Sequence, residues 1–262
     1  MTEVKLELID GNKETNKRFK ILPIRSLFPN IITLVALCAG MSSIKSALSS
    51  NWQEAVTFII IAAFLDGMDG RLARYLKATS DFGAQLDSLA DFVNFGVAPA
   101  LILYLWKLQY MTTSSIGWAI ALFFSACMSL RLARFNTGLT EEDTPIWADQ
   151  FFVGIPAPIA ACLSLLPMMI QLQFSYDIGS EYIAVYSVIV ALFMVSRIPT
   201  FSIKKLTIRR EYIYFAMIFS VLLVTSLLIK PWITVIFLSI LYLFSIPMSI
   251  IHYYKFKNSD NK

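Results

Sequence analysis

Long apolar runs alternate with short polar connections along the whole chain, and each run has the length of a membrane span. A helix crossing the hydrocarbon core of a bilayer needs roughly 20 apolar residues. Eight such runs occur, at about 28–48, 53–76, 83–107, 115–136, 152–172, 182–199, 212–229 and 232–253. Their uninterrupted length predicts helices, because barrel strands read as short segments of alternating polarity. The expected fold is therefore all-α, a polytopic membrane helical bundle of eight transmembrane helices. Residues 1–20 are polar and mixed in charge, which marks a tail and not a cleavable signal peptide. Residues 18–25 then combine Arg18, Lys20 and Arg25 with Phe19, Ile21 and Leu22, the pattern of a segment lying on the membrane surface.

Composition agrees with this pattern. Of 262 residues, 57% are hydrophobic and 15% charged, with a mean hydropathy of +0.65; soluble chains carry roughly 25% charged residues. A soluble domain, a secreted disulfide scaffold, a disordered chain and a nucleic-acid-binding domain are excluded. Cys38, Cys127 and Cys162 lie far apart in apolar runs and read as buried small hydrophobes, with no zinc or disulfide pattern. The placement of charge gives an orientation. With the N-terminus inside and eight alternating spans, nineteen of the 22 Lys and Arg fall on the cytoplasmic side. Lys45, Lys107 and Lys230 are the three outside. The positive-inside rule then puts both termini in the cytoplasm. Glu141, Glu142, Asp143 and Asp149 read as a solvated acidic loop, and His252 as an interfacial residue.

Candidate chemistry is concentrated at the cytoplasmic ends of the second and third runs. Carboxylates inside membrane spans are costly and are functional candidates by default. Asp66, Asp69, Asp87 and Asp91 fall within 26 residues. At about 100° per residue, Asp66, Asp69, Gly70, Ala73 and Arg74 share an arc of about 140°. Gly83, Asp87 and Asp91 share roughly 80° of the next helix. The connection at 77–80 is short, so the two helices are expected to be antiparallel neighbours with converging acids. Four like charges in a low-dielectric site need compensating cations. An all-oxygen ligand set suits a hard ion such as Mg²⁺, Mn²⁺ or Ca²⁺, with substrate phosphates completing the shell. Gly67, Gly70, Ala73 and Gly83 clear side chains from the same faces, and Arg74 offers a positive charge to a phosphate. Helix packing through small residues and structural ion pairs is the competing account, but it leaves most of the acids uncompensated.

The spacing D-x2-D-G-x2-A-R-x8-G-x3-D-x3-D, filled by Asp66, Asp69, Gly70, Ala73, Arg74, Gly83, Asp87 and Asp91, resembles the signature of the CDP-alcohol phosphatidyltransferases. The resemblance implies a six-helix catalytic core over 26–200, preceded by a cytoplasmic tail over 1–25. Two additional transmembrane helices and a short cytoplasmic C-terminus would occupy 201–262. It implies that Asp66, Asp69 and Asp87 are metal ligands for Mg²⁺ or Mn²⁺, as two ions. Asp91 would be both ligand and the base that deprotonates the acceptor alcohol, although spacing does not separate those roles. Gly67, Gly70, Ala73, Arg74 and Gly83 would line the CDP-lipid pocket, with Asn30 contacting the nucleotide or capping the helix after Pro29.

Segments 27–33, 87–100, 131–136 and 154–158 are similar to the bacterial membrane-integral, serine-accepting branch of that family; Asn94 stands where Ser is more usual there. This similarity implies CDP-diacylglycerol and L-serine as substrates, phosphatidylserine and CMP as products, the bacterial inner membrane as location, and a homodimer. Arg131 and Arg134, three apart on one helix face, suit a fork for the serine carboxylate. A donor phosphate or a positive-inside anchor are the other roles open to them. Two alternatives stand beside the serine reading. Glycerol 3-phosphate, choline or inositol phosphate would use the same chemistry, and a cation transporter would need acids spread across the membrane depth.

Overall fold

The computed structural model describes residues 27–138, 151–201 and 213–260. The surface segment expected at 18–25, the acidic loop at 141–149 and the basic cluster at 204–210 lie outside the described residues. Ten α-helices carry the described chain: α1 (Leu27–Leu48), α2 (Trp52–Tyr75), α3 (Asp81–Asp91), α4 (Ala98–Trp106), α5 (Ser114–Gly138), α6 (Ala157–Ser164), α7 (Leu166–Phe174), α8 (Ser180–Val195), α9 (Ile213–Ile229) and α10 (Pro231–Asp260). Two three-residue strands, β1 (Phe151–Val153) and β2 (Pro199–Phe201), pair antiparallel with Phe152 opposite Thr200. The molecule is an all-α membrane helical bundle with this one small ribbon.

Described helices coincide with all eight apolar runs, but the count of spans is less uniform than the runs suggest. Among the described residues, four helical stretches, Leu27–Leu48, Asp81–Trp106, Ser115–Thr137 and Pro231–Tyr253, are long and apolar enough to cross a membrane. The pair α6 and α7, bent by 42° at Leu165, makes a fifth if taken as one span. Pro167 in the first turn of α7 explains the break, since it has no N–H to continue the ladder. Helices α8 and α9, of 16 and 17 residues, are shorter than a full span.

The stretch from Asp81 to Trp106 is one helical rod with a π-helical turn, Phe92–Val97, at its centre. There the Ala98 N–H reaches back five residues to the Val93 carbonyl. Pro99 stands just beyond and removes the donor that an ordinary turn would use. Asn94, on this turn, is buried against Gly40 of α1, where an added Cβ would overlap its carboxamide. Gly40 thus makes room for a side chain larger than serine.

Helices α1 and α2 form the most extensive pairing, and the α3–α4 rod packs across α1. The core beneath them joins Ile59, Phe95, Ile102, Leu103, Phe124 and Met128. Cys127 belongs to it, whereas Cys38 faces outward from α1, against the expectation of burial for all three cysteines. Helix α9 is exposed along most of its length, as expected of a helix apolar all round and facing lipid, and its main neighbour is α10. At the end opposite the acids, Lys107 Nζ meets the Asp177 carboxylate at 2.6 Å.

Gly117 shows how tightly the rod is held: a Cβ there would overlap the backbone carbonyl of Leu108. Backbone cannot swing aside as a side chain can. Gly117→Ala should therefore destabilise the detergent-solubilised protein by about 1–3 kcal/mol, read as a lowered Tm. An unchanged Tm would contradict this packing.

Candidate active site

The site is built between the second half of α2 and the second half of α3, whose acidic side chains reach toward one another. Polar residues Arg71 and Arg74 lie near the end of α2, and Lys77, two residues beyond it, adopts a left-handed conformation (φ 51°) that turns the chain. Ser80 then caps α3, its Oγ accepting from the Gly83 N–H at 3.1 Å. This tight reversal sets two acidic helix faces against each other. One carboxylate oxygen each from Asp66, Asp69 and Asp87 lies within 4.8 Å of the other two. The Asp91 carboxyl, one turn after Asp87, adjoins Asp66. All four expected acids are therefore together.

Asp69 is the most enclosed of the three clustered acids, at 4% exposure. Thr33 of α1 donates its hydroxyl to Asp69 Oδ2 at 2.7 Å while also contacting the Pro29 carbonyl at 3.1 Å. That bond fixes one carboxylate oxygen. The acidic motif assigns no role to Thr33. The available signal was its position three residues after Asn30, on the same face of an otherwise apolar helix.

Asn30 lies inside α1, not at its start, so it does not cap that helix. Its Oδ1 sits 3.0 Å from where a Gly83 Cβ would be, with Ser80 Oγ at 3.2 Å from the same point. Gly83 is thus a place of close approach between α1 and the start of α3. Gly67 and Gly70 are different. A Cβ at either would meet nothing within 4 Å. Among the described residues nothing is packed against these two glycines, so helix packing does not account for them. They leave open space beside the acids. Ala73 is half-buried and Arg74 exposed in the last turn of α2.

Arg131 and Arg134 part company. Arg131 is half-buried, donates from Nε to the Ile155 carbonyl at 2.6 Å, and interacts electrostatically with Asp91 and Asp66. It brings positive charge to the acidic cluster. Arg134 instead donates Nη1 to the Val195 carbonyl at 2.6 Å and Nη2 to the Ser196 carbonyl at 3.3 Å. These are the terminal carbonyls of α8, which have no partner in their own helix and carry partial negative charge. Arg134 ties α5 to the end of α8, and its guanidinium is occupied there. A further polar link joins the α3 face to α5, where Asn136 Nδ2 donates to Ser88 Oγ at 3.0 Å.

The donor set and its spacing fit a hard divalent cation: carboxylate oxygens only, clustered, one already held by a hydroxyl. The open flank beside Gly67 and Gly70 gives a phosphate room to reach the same place.

Comparison with known proteins agrees with this geometry. The family model described as CDP-alcohol phosphatidyltransferase matches residues 26–198. A Mycobacterium leprae protein named CDP-diacylglycerol–serine O-phosphatidyltransferase is 34% identical over 226 residues, covering 86% of this chain and 74% of its own. Proteins of the same name from Helicobacter pylori and Bacillus subtilis are 36% identical over 181 residues and 41% identical over 139. These alignments cover 68% and 53% of this chain, and 73% of each relative. With a family match over most of its length and a set of acids converging as the motif requires, this chain belongs to the CDP-alcohol phosphatidyltransferase family.

Proposed function

We propose that the protein transfers the phosphatidyl group of CDP-diacylglycerol to the hydroxyl of L-serine, giving phosphatidylserine and CMP. The observation that carries this reading is the convergence of Asp66, Asp69 and Asp87 beside the open flank of Gly67 and Gly70. The serine acceptor is supported by the names of the relatives. Asp66, Asp69, Asp87 and Asp91 would hold two divalent ions, Mg²⁺ or Mn²⁺. Such ions, when bound, neutralise the diphosphate and stabilise the charge that develops on CMP as it leaves.

The chain's own groups would do the rest. Asn30, Gly67, Gly70, Ala73, Arg74 and Gly83 would form the CDP side, with backbone exposed at the glycines and the Arg74 charge on a phosphate. Arg131 would grip the serine carboxylate, since its charge stands beside Asp91. Arg134 keeps α8 in place. Asp91 would accept the proton of the serine hydroxyl as the new O–P bond forms and the bond between the two CDP phosphates breaks. The acids gather at one depth, where a transporter would need them along a path.

The layout proposed with this function is eight crossings in the bacterial inner membrane, with both termini and the site cytoplasmic. Its support is the distribution of Lys and Arg. The resemblance also carries the expectation of a homodimer.

Purified protein given CDP-diacylglycerol, Mg²⁺ or Mn²⁺ and labelled serine should release CMP and form labelled phosphatidylserine. Faster turnover of glycerol 3-phosphate or inositol phosphate than of serine would refute the acceptor assignment. Asp91→Asn should lower kcat by roughly a hundred- to ten-thousand-fold with an unchanged Tm; near-normal turnover would remove Asp91 as base. Gly70→Ala separates packing from binding. It should hold or raise Tm, by up to about 1 kcal/mol of helix stability, yet raise the KM for CDP-diacylglycerol several-fold. Loss of stability with an unaltered donor KM would return Gly70 to a packing role.

A further inference from the structure

Helix α1 lies outside the acidic motif, yet its first two turns meet both helices that carry it. Asn30 faces Gly83 near the start of α3, and Thr33, one turn on, meets Asp69 of α2. The Thr33 hydroxyl has one proton and two acceptors within reach: Asp69 Oδ2 at 2.7 Å and the Pro29 carbonyl at 3.1 Å. Donation to the carbonyl four residues back is the ordinary habit of a threonine inside a helix. Ser42, Thr57 and Ser187 follow it at 2.7, 2.7 and 2.8 Å. The corresponding contact of Thr33 is longer, and its short contact is to the carboxylate, at a length suited to an ionised acceptor. The hydroxyl therefore serves Asp69.

Both partners are buried, Thr33 at 5% exposure and Asp69 at 4%, so water has little access to replace the donor. The last torsion of an aspartate is soft and two-fold, and α2 alone does not set the plane of the carboxylate. Threonine is the opposite case, because its branched Cβ restricts the first torsion. It also stands on the helix most extensively packed against α2. A stiff donor on one helix thus orients a loosely held carboxylate on the next.

We propose that Thr33 is a positioning residue for the divalent-ion site: its hydroxyl holds the Asp69 carboxylate in the orientation that groups it with Asp66 and Asp87, and so sets the affinity for the ion. This rests on the reading that these acids bind a divalent ion. Helix α1 then tunes ion affinity from outside the motif, through a side chain that acts on a ligand and not on the reacting atoms.

The test is calorimetric titration of Mn²⁺ into the metal-free, full-length protein without substrates, with Tm measured for each variant to show that it is folded. Thr33→Ser keeps the hydroxyl, Thr33→Val keeps the shape, Thr33→Ala keeps neither, and Asp69→Asn is the control. Thr33→Val and Thr33→Ala should each weaken Mn²⁺ binding about ten- to a hundredfold, while Thr33→Ser stays within about threefold of the unsubstituted protein. If Thr33→Val does not fold, the serine and alanine variants still differ by the hydroxyl alone and decide the matter. Affinities that follow side-chain volume, with valine near threonine and serine near alanine, would make Thr33 a packing residue and overturn the proposal. If Asp69→Asn weakens Mn²⁺ binding and no Thr33 variant does, Asp69 remains a ligand and the proposal alone fails. Mn²⁺ binding that is unaltered in Asp69→Asn would remove the ligand reading itself.

Discussion

Mutual repulsion among Asp66, Asp69, Asp87 and Asp91 is the constraint around which the rest of this molecule is arranged. Carboxylates at this density inside a membrane bundle are unfavourable in isolation, and the fold holds them together by several independent means. The reversal at Lys77 and the Ser80 cap set α2 and α3 face to face. Thr33 reaches from α1 to fix Asp69. Arg131 brings an opposing charge from α5. Two helices outside the motif-bearing pair, α1 and α5, thus converge on four side chains, an arrangement suited to a site completed by cations and phosphates.

Glycines divide into two kinds in this structure, and the division separates scaffold from site. Gly40, Gly96 and Gly117 each face a neighbour that an added Cβ would strike: the Asn94 carboxamide, the Met128 side chain and the Leu108 carbonyl. They permit helices to approach. Gly67 and Gly70 face open space. A glycine inside a helix is destabilising relative to alanine, so two of them on a helix face with no packed neighbour indicate a surface kept clear for a ligand. Gly83 lies between the kinds, because its neighbours are Asn30 and the Ser80 cap of the site itself.

The two arginines of α5 teach a similar lesson about charge. Spacing alone put Arg131 and Arg134 on one face and suggested one anion for both. In the folded chain they look at different things three residues apart: Arg131 toward the acids, Arg134 toward the carbonyls that end α8. The β1–β2 ribbon and Ile155 hold this corner, with α10 packed outside it.

Periodicity and spacing were sufficient for much of this. Apolar runs located the helices to within a few residues, because span length is set by the bilayer and not by the neighbours of a given helix. The acidic motif located the four aspartates on two faces, because helical geometry fixes angular position from spacing. What the runs could not determine was how far each helix continues: the break at Leu165, the π-helical turn after Asp91 and the short α8 depend on local backbone bonding and on packing partners. Nor could spacing assign Thr33 to Asp69 or Arg134 to the end of α8. Those pairings join residues 36 and 61 positions apart. Side-chain partners at such separations are chosen by how helices pack against one another, and only the tertiary structure decides that.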